Sequence, residues 1–272
     1  MEIIILGSGT GIPSRMRGAP GLLIKIGQTP LLFDSGDGTL TRLLQVGVNP
    51  LELDYLFYTH HHTDHVADLA PLLHAAVISF REKPLWIAGP RRVQRFYEGL
   101  LAIQPSLRPH TFQVNFREVR RSRLTYPDWV ITTAPTGHTS DSVGYRVEAE
   151  GTAVVYSGDA IYVESLVELA KDADILILEC SYPDEKAVEG HLTPTLAGRI
   201  AREANTKRLL LTHLYPPCDE ADVSGQCQRI YDGQVIVARD LMRLRLKKKG
   251  VPPEVPLEKV SAERHEGNED ER

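Results

Sequence analysis

The run Thr59-His60-His61-His62-Thr63-Asp64-His65 constrains this chain more than any other stretch. It carries His-x-His-x-Asp-His, so His60, His62, Asp64 and His65 offer four metal ligands within six positions. Residues 53–58, just before it, read as a strand. Ligands placed past a strand end sit at the rim of a sheet, where open α/β folds build their sites. In an extended turn, side chains two apart point the same way, so His60 and His62 can grip one ion. Asp64 and His65 can then turn toward a second. Imidazole with carboxylate suits zinc, manganese or iron. A histidine tag would sit at a terminus, without Asp and without a strand in front. This run is internal, and Val66, Leu69, Leu72, Leu73, Ala76, Val77 and Phe80 follow at the spacing of a helix packed by one face, predicted over residues 66–80.

The same local design recurs three times. Strands predicted at 130–134, 153–156 and 208–212 run into Gly137-His138-Thr139, Ser157-Gly158-Asp159 and Thr212-His213. A lone buried histidine is usually a satisfied core residue, but repetition of one architecture weakens that explanation. Ligand count gives an arrangement. His60, His62 and His138 hold one ion, Asp64, His65 and His213 the other, and Asp159 lends an oxygen to each. Ions about 3.5–4 Å apart can share a hydroxide and stabilise attacking and leaving oxygens alike. His74, His110 and His265 lack this setting and read as helix, loop and tail residues.

Alternating patterns run to about residue 240 without a linker-like break. With 272 residues, 42% of them hydrophobic, the chain can build one large core, and a single α/β domain is expected over residues 1–245. Further strands are expected at 2–6, 22–26, 31–33, 85–88, 142–148, 175–178 and 235–237. Helices are expected at 40–46, 91–103, 161–170, 194–204 and 222–231. Residues 246–272 are charged and proline-rich and read as a disordered tail. Gly7-Ser8-Gly9-Thr10-Gly11 lacks the Gly-Lys-Ser/Thr of a P-loop and reads as a tight turn at the sheet edge. Asp34 and Asp37 stand at another strand end, either as partners that fix a ligating histidine or as turn and helix-cap residues. Arg117, Arg120, Arg121 and Arg123 beside Phe112, Phe116, Tyr126 and Trp129 could hold single-stranded nucleic acid, but read first as a solvated face over an aromatic core.

A net charge of −5 means that steering of a polyanion is not built into the whole molecule. The first residues form a strand, not a signal peptide, and no window approaches the ~20 apolar residues of a membrane span. Three cysteines, Cys180, Cys218 and Cys227, are too few for a disulfide framework and read as free thiols, although Cys218 and Cys227 could meet. A cytoplasmic protein is expected.

The set His60-x-His62-x-Asp64-His65, His138, Asp159 and His213 resembles the metallo-β-lactamase superfamily. The resemblance implies a four-layer αβ/βα sandwich with two divalent metals at one edge between the sheets. Within the superfamily the chain is most similar to the tRNase Z group and its phosphodiesterase relatives. The similarity is carried by Leu6-Gly7-Ser8-Gly9-Thr10-Gly11-Ile12-Pro13, by Phe33-Asp34-Ser35-Gly36-Asp37-Gly38-Thr39, and by Glu179-Cys180-Ser181-Tyr182 with Gly190-His191-Leu192-Thr193. The group usually carries a tRNA-gripping arm between its third and fourth motifs. Here only Thr139 to Gly158 separate His138 from Asp159, so that arm is absent. The resemblance therefore implies phosphodiester hydrolysis, by a metal-bridging hydroxide, of a small diester or an RNA 3′ end. Asp64 would orient the hydroxide, His191 would protonate the leaving oxygen, and Glu179 would hold His191 protonated. It also suggests a homodimer. The alternatives are a 3′-tRNA-processing endoribonuclease proper, a lactone or thioester hydrolase on the same centre, a redox di-iron protein and, last, a non-enzymatic RNA-binding module.

Overall fold

The computed structural model describes residues 1–247. Its strands are β1 (Glu2–Gly7), β2 (Gly21–Ile26), β3 (Thr29–Phe33), β4 (Tyr55–Phe57), β5 (Leu85–Gly89), β6 (Val114–Glu118), β7 (Arg123–Thr125), β8 (Trp129–Pro135), β9 (Val143–Ala149), β10 (Thr152–Tyr156), β11 (Ile175–Glu179), β12 (Arg208–Thr212), β13 (Gln234–Val237) and β14 (Arg243–Arg245). The helices are α1 (Thr39–Gln45), α2 (Thr63–Val66), α3 (Leu69–Ile78), α4 (Val93–Ile103), α5 (Glu164–Ala170), α6 (Pro194–Glu203) and α7 (Val223–Gln228).

Among the described residues these strands build two seven-stranded sheets, ordered β14-β1-β2-β3-β4-β5-β6 and β13-β12-β11-β10-β9-β8-β7. Each sheet is antiparallel at one end and parallel at the other. Strands β3 to β6 pair in parallel, as do β10 to β13.

Period-two alternation explains the layering. Ile3 and Ile5 of β1 face a core between the sheets, with Phe33, Phe57, Ile131, Tyr145 and Ile177. Ile4 and Leu6 face the other way, onto α1, α3 and α4. In β11, Ile175 and Ile177 join the inter-sheet core, while Leu176 and Leu178 pack under α5, α6 and α7. Strands covered on both faces read as continuous apolar runs, and each fully buried Ile or Leu contributes roughly 1.5–3 kcal/mol. The result is the expected αβ/βα sandwich. Helix α6 is typical of its outer layers: Pro194 opens it, and Ala197, Ile200 and Ala201, with Ala204 just past its end, present one buried stripe.

Several elements differ from the sequence reading. The helix expected over 66–80 is broken into α2 and α3. The loop after β3 pins the break: Ser35 N–H donates to the His65 carbonyl, Asp68 N–H donates to the Ser35 carbonyl, and the Asp68 carboxylate accepts from Leu40 N–H. Strands β6, β7 and β14 carry too little alternation to be read. They lie at sheet edges, and Arg117, Arg120, Arg121 and Arg123 are exposed, while Phe112 and Trp129 are buried in two different apolar clusters. The three cysteines are free and buried. The tail expectation falls almost wholly outside the described residues. No helix among the described residues is long and apolar enough to cross a membrane.

Candidate metal centre

The C-terminal ends of the parallel strands converge on one rim. Strand β4 ends at Phe57, and Thr59 to His62 form the link to α2, with His62 extended at φ −64° and ψ 147° just before the helix. Asp64 and His65 thus fall in the first turn of a helix, while His60 and His62 precede it. His61 alternates away and stacks on Phe96, with ring centroids 5.2 Å apart. From the opposite sheet, β8 delivers His138, β10 delivers Asp159 and β12 delivers His213. The two sheets are tied together at this point: Val143 N–H donates to the Thr59 carbonyl and the Tyr145 hydroxyl to the Tyr58 carbonyl. Gly158, at φ +57°, lies so close to Thr59 that a Cβ there would come within 2.5 Å of it.

All seven ligand candidates from the sequence meet. His60, His62, His138 and Asp159 form one group able to hold a metal, and Asp64, His65 and His213 form another, with donor atoms in each within 4.8 Å of one another. Asp159 lies between the groups. Its Oδ1 is 3.1 Å from His65 Nε2 and 3.2 Å from His213 Nε2. Its Oδ2 is 3.5 Å from His138 Nε2 and 3.8 Å from His60 Nε2. Asp64 Oδ2 stands 3.5 Å from His213 Nε2 and 3.9 Å from His65 Nε2.

These residues fit metal ions on physical grounds. His65 Nε2, His213 Nε2 and Asp159 Oδ1 are buried without a hydrogen-bond partner, an arrangement that costs free energy unless a further group satisfies it. Burial, reinforced by the neighbouring imidazoles, drives His60 well below the ordinary histidine pKa and keeps it neutral for ligation. At His65 burial acts the same way, but Asp159 and Asp34 outweigh it and hold this ring well above the ordinary value. Burial pushes Asp159 up, yet His213 and His65 outweigh that and hold it well below. Buried carboxylates here demand positive charge, from protons or from metals.

Asp34 answers the question left by the sequence. It is fully buried at φ 55° and acts on candidate ligands, not on a helix end. Its carboxylate accepts from Thr59 N–H, from the Thr59 and Tyr156 hydroxyls and from His65 Nδ1. Thr59 Oγ1 also reaches His60 Nδ1 at 3.0 Å. One carboxylate therefore orients a histidine of each group. Asp37 takes neither role; it is exposed, and Gly38 stands at the start of α1 without a side-chain cap. Asp34→Asn is expected to weaken metal affinity about 10–100-fold with little change in fold, measured by chelator competition and circular dichroism. Unchanged affinity would remove this role.

Glu179, the last residue of β11, is fully buried. Its carboxylate lies 3.1 Å from His191 Nδ1 and accepts from Ala160 N–H, Leu192 N–H and the Ser181 hydroxyl. Ser181 Oγ also stands 3.1 Å from His213 Nδ1. The carbonyl of Gly190, beside His191, accepts from His138 Nδ1 at 2.8 Å. His191 is therefore wired to a histidine of each group without belonging to the main cluster, although His138, Asp159, Glu179 and His191 also come close enough to share an ion. Thr59, Ser181 and Tyr156 were not picked out from the sequence. Their signal is adjacency: each sits one to three residues from a ligand or its support.

The fold and this rim together define a metal-dependent hydrolase with an αβ/βα sandwich. The profile of the Beta-lactamase superfamily domain matches residues 31–214, and the chain belongs to that family, whose members use divalent metals. It is 31% identical to the probable metallo-hydrolase YhfI of Bacillus subtilis, over 88% of this chain and 97% of that protein. It is 27% identical to ribonuclease Z of Methanothermobacter thermautotrophicus, over 91% and 97%. The crystal structure of human tRNase Z, short form, superposes with TM-score 0.76 at 25% identity, covering 91% of this chain and 100% of that one.

Proposed function

We infer that this chain is a phosphodiesterase of the ribonuclease Z-like group, with small diesters or RNA 3′ ends as substrates. The observation that supports this most is Asp159, which offers one carboxylate oxygen to each imidazole group. His60, His62 and His138 would hold one ion, Asp64, His65 and His213 the other, and Asp159 both. Zinc is the first choice, with manganese or iron as alternatives. When bound, two divalent ions supply positive charge for phosphoryl oxygens and a water of lowered pKa as nucleophile. Asp64, only partly buried, would orient that water. His191 is the group able to protonate a leaving oxygen. Burial disfavours its charged form, but the hydrogen bond and charge of Glu179, aided by Asp159 and Asp64, raise its pKa above the ordinary value.

Two rivals use the same centre. A lactone or thioester hydrolase has less need of an acid, and the buried Glu179 behind His191 favours the diester. A 3′-tRNA-processing endoribonuclease would have to hold its substrate without an arm. Between His138 and Asp159 the chain forms only the hairpin of β9 and β10, closed by Glu150-Gly151 with φ of 54° and 70°. The ribonuclease Z alignment runs over 300 positions, more than the 272 residues of this chain, whereas that with YhfI runs over 246. A small-substrate enzyme is therefore preferred, cytoplasmic and, by family resemblance, a homodimer.

The test is turnover of bis(p-nitrophenyl) phosphate by metal-reconstituted protein, beside a tRNA precursor with a 3′ trailer and a lactone. Hydrolysis of the ester without precursor cleavage is expected. Clean precursor cleavage would point to the endoribonuclease, and turnover of the lactone alone would discard the phosphodiesterase.

A further inference from the structure

Two tyrosines flank the candidate acid and belong to neither metal group. Tyr182 follows β11, and Tyr215 follows β12, two residues beyond His213. Their rings stack with centroids 4.6 Å apart and planes 18° from parallel. The backbone holds the pair in register, since Tyr215 N–H donates to the Ser181 carbonyl. Pro183 and Pro216 follow the two tyrosines directly and stiffen both loops.

The pair meets the catalytic rim edge-on. His191 lies 6.3 Å from Tyr182 and 6.1 Å from Tyr215, inclined by 61° and 66°. His213 lies 5.8 Å from Tyr215, inclined by 71°. His191 is nearly equidistant from both rings, so it stands over the seam of the stack and covers neither outer face. Both tyrosines remain half-buried. Their rings add to none of the three large apolar clusters, so burying a core does not account for the pairing.

We propose that Tyr182 and Tyr215 form a stacking wall for a planar ring carried by the leaving group. The proposal rests on His191 as the acid of a phosphodiesterase: the leaving oxygen must depart toward His191, and whatever that oxygen carries then lies along the tyrosine pair. An aromatic face accepts any planar base with little regard to its hydrogen-bonding edge. The class of substrate is a diester whose leaving alcohol is a nucleoside or an aryl group, in preference to a simple alkyl alcohol.

The test compares two diesters that share a 5′-phosphorylated thymidine and differ in the leaving alcohol. One is thymidylyl-(3′→5′)-thymidine, which releases a nucleoside; the other is the methyl ester of thymidine 5′-phosphate, which releases methanol. Wild-type full-length protein, loaded with metal, is expected to favour the dinucleotide in kcat/KM by about tenfold or more. In Tyr182→Leu with Tyr215→Leu that ratio falls about tenfold, chiefly through KM, and Phe at both positions retains it. Tyr182→Leu alone, the milder change, is expected to lower the ratio in the same direction. No preference in the wild type, or an unchanged ratio in the Leu variants, overturns the wall while leaving the phosphodiesterase standing. Turnover of neither diester, with bis(p-nitrophenyl) phosphate also untouched, removes the phosphodiesterase and the wall together.

Discussion

Asp159→Asn is expected to abolish turnover, by at least about a thousandfold, and to reduce bound metal from two ions per chain to one or none. The side chain keeps its size, so packing is not the cause. Asp159 is 3% exposed, and its backbone carbonyl accepts from the Thr136 hydroxyl, a contact that survives the change. What is lost is charge and one acceptor. Wild-type Oδ1 faces His65 and His213, and Oδ2 faces His138 and His60. An amide can present its oxygen to one pair only, and its NH2 then points two donors at a place that demands a cation. The measurements are metal content by mass spectrometry after gel filtration and turnover of bis(p-nitrophenyl) phosphate. A variant that keeps full metal content would show that the two groups bind independently, and the bridging arrangement would fall.

The candidate ligand set was legible because each member follows an apolar strand, and strands that run the same way in a sheet end on one rim. That regularity pointed to the convergence of His60, His62, Asp64, His65, His138, Asp159 and His213, whereas the sandwich followed from the family resemblance that this set carries. Orientation was not legible. Asp34 could equally have capped a helix, since only the fold shows that the Phe33–Phe57 pairing of β3 with β4 brings it to Thr59 and His65. The break between α2 and α3 was missed for a similar reason: apolar spacing ran through it, and the hydrogen bonds of Ser35 that enforce it come from another loop. Strand β14 was invisible because three residues at an edge, Arg243–Arg245, alternate too briefly to register. The tyrosine pair needs two loops, separated by a helix and a strand, to meet, and no local pattern announces that.

His191→Ala is expected to leave both metals in place and to lose about 10²–10⁴-fold in kcat on a diester with a nucleoside leaving group. Metal retention follows from the wiring. The partner of His138 is the Gly190 carbonyl, a backbone group that alanine at 191 leaves in place, and His213 keeps Ser181. Loss of turnover follows from the leaving group. A nucleoside alkoxide needs a proton, whereas p-nitrophenolate departs without one, so bis(p-nitrophenyl) phosphate should suffer less. Glu179→Gln adds a pH signature. Burial alone would lower the pKa of His191, and the hydrogen bond and charge of Glu179 reverse that. An acid works while protonated, so activity is present below its pKa and lost as pH rises through it. Removing the carboxylate leaves burial unopposed at that contact, and the alkaline limb of kcat should move to lower pH; in His191→Ala that limb should vanish. Loss of metal in His191→Ala would instead make this residue a ligand, as its closeness to His138 and Asp159 permits. Equal losses on both leaving groups, with the alkaline limb unmoved in Glu179→Gln, would make it a structural residue and leave the proton to another source.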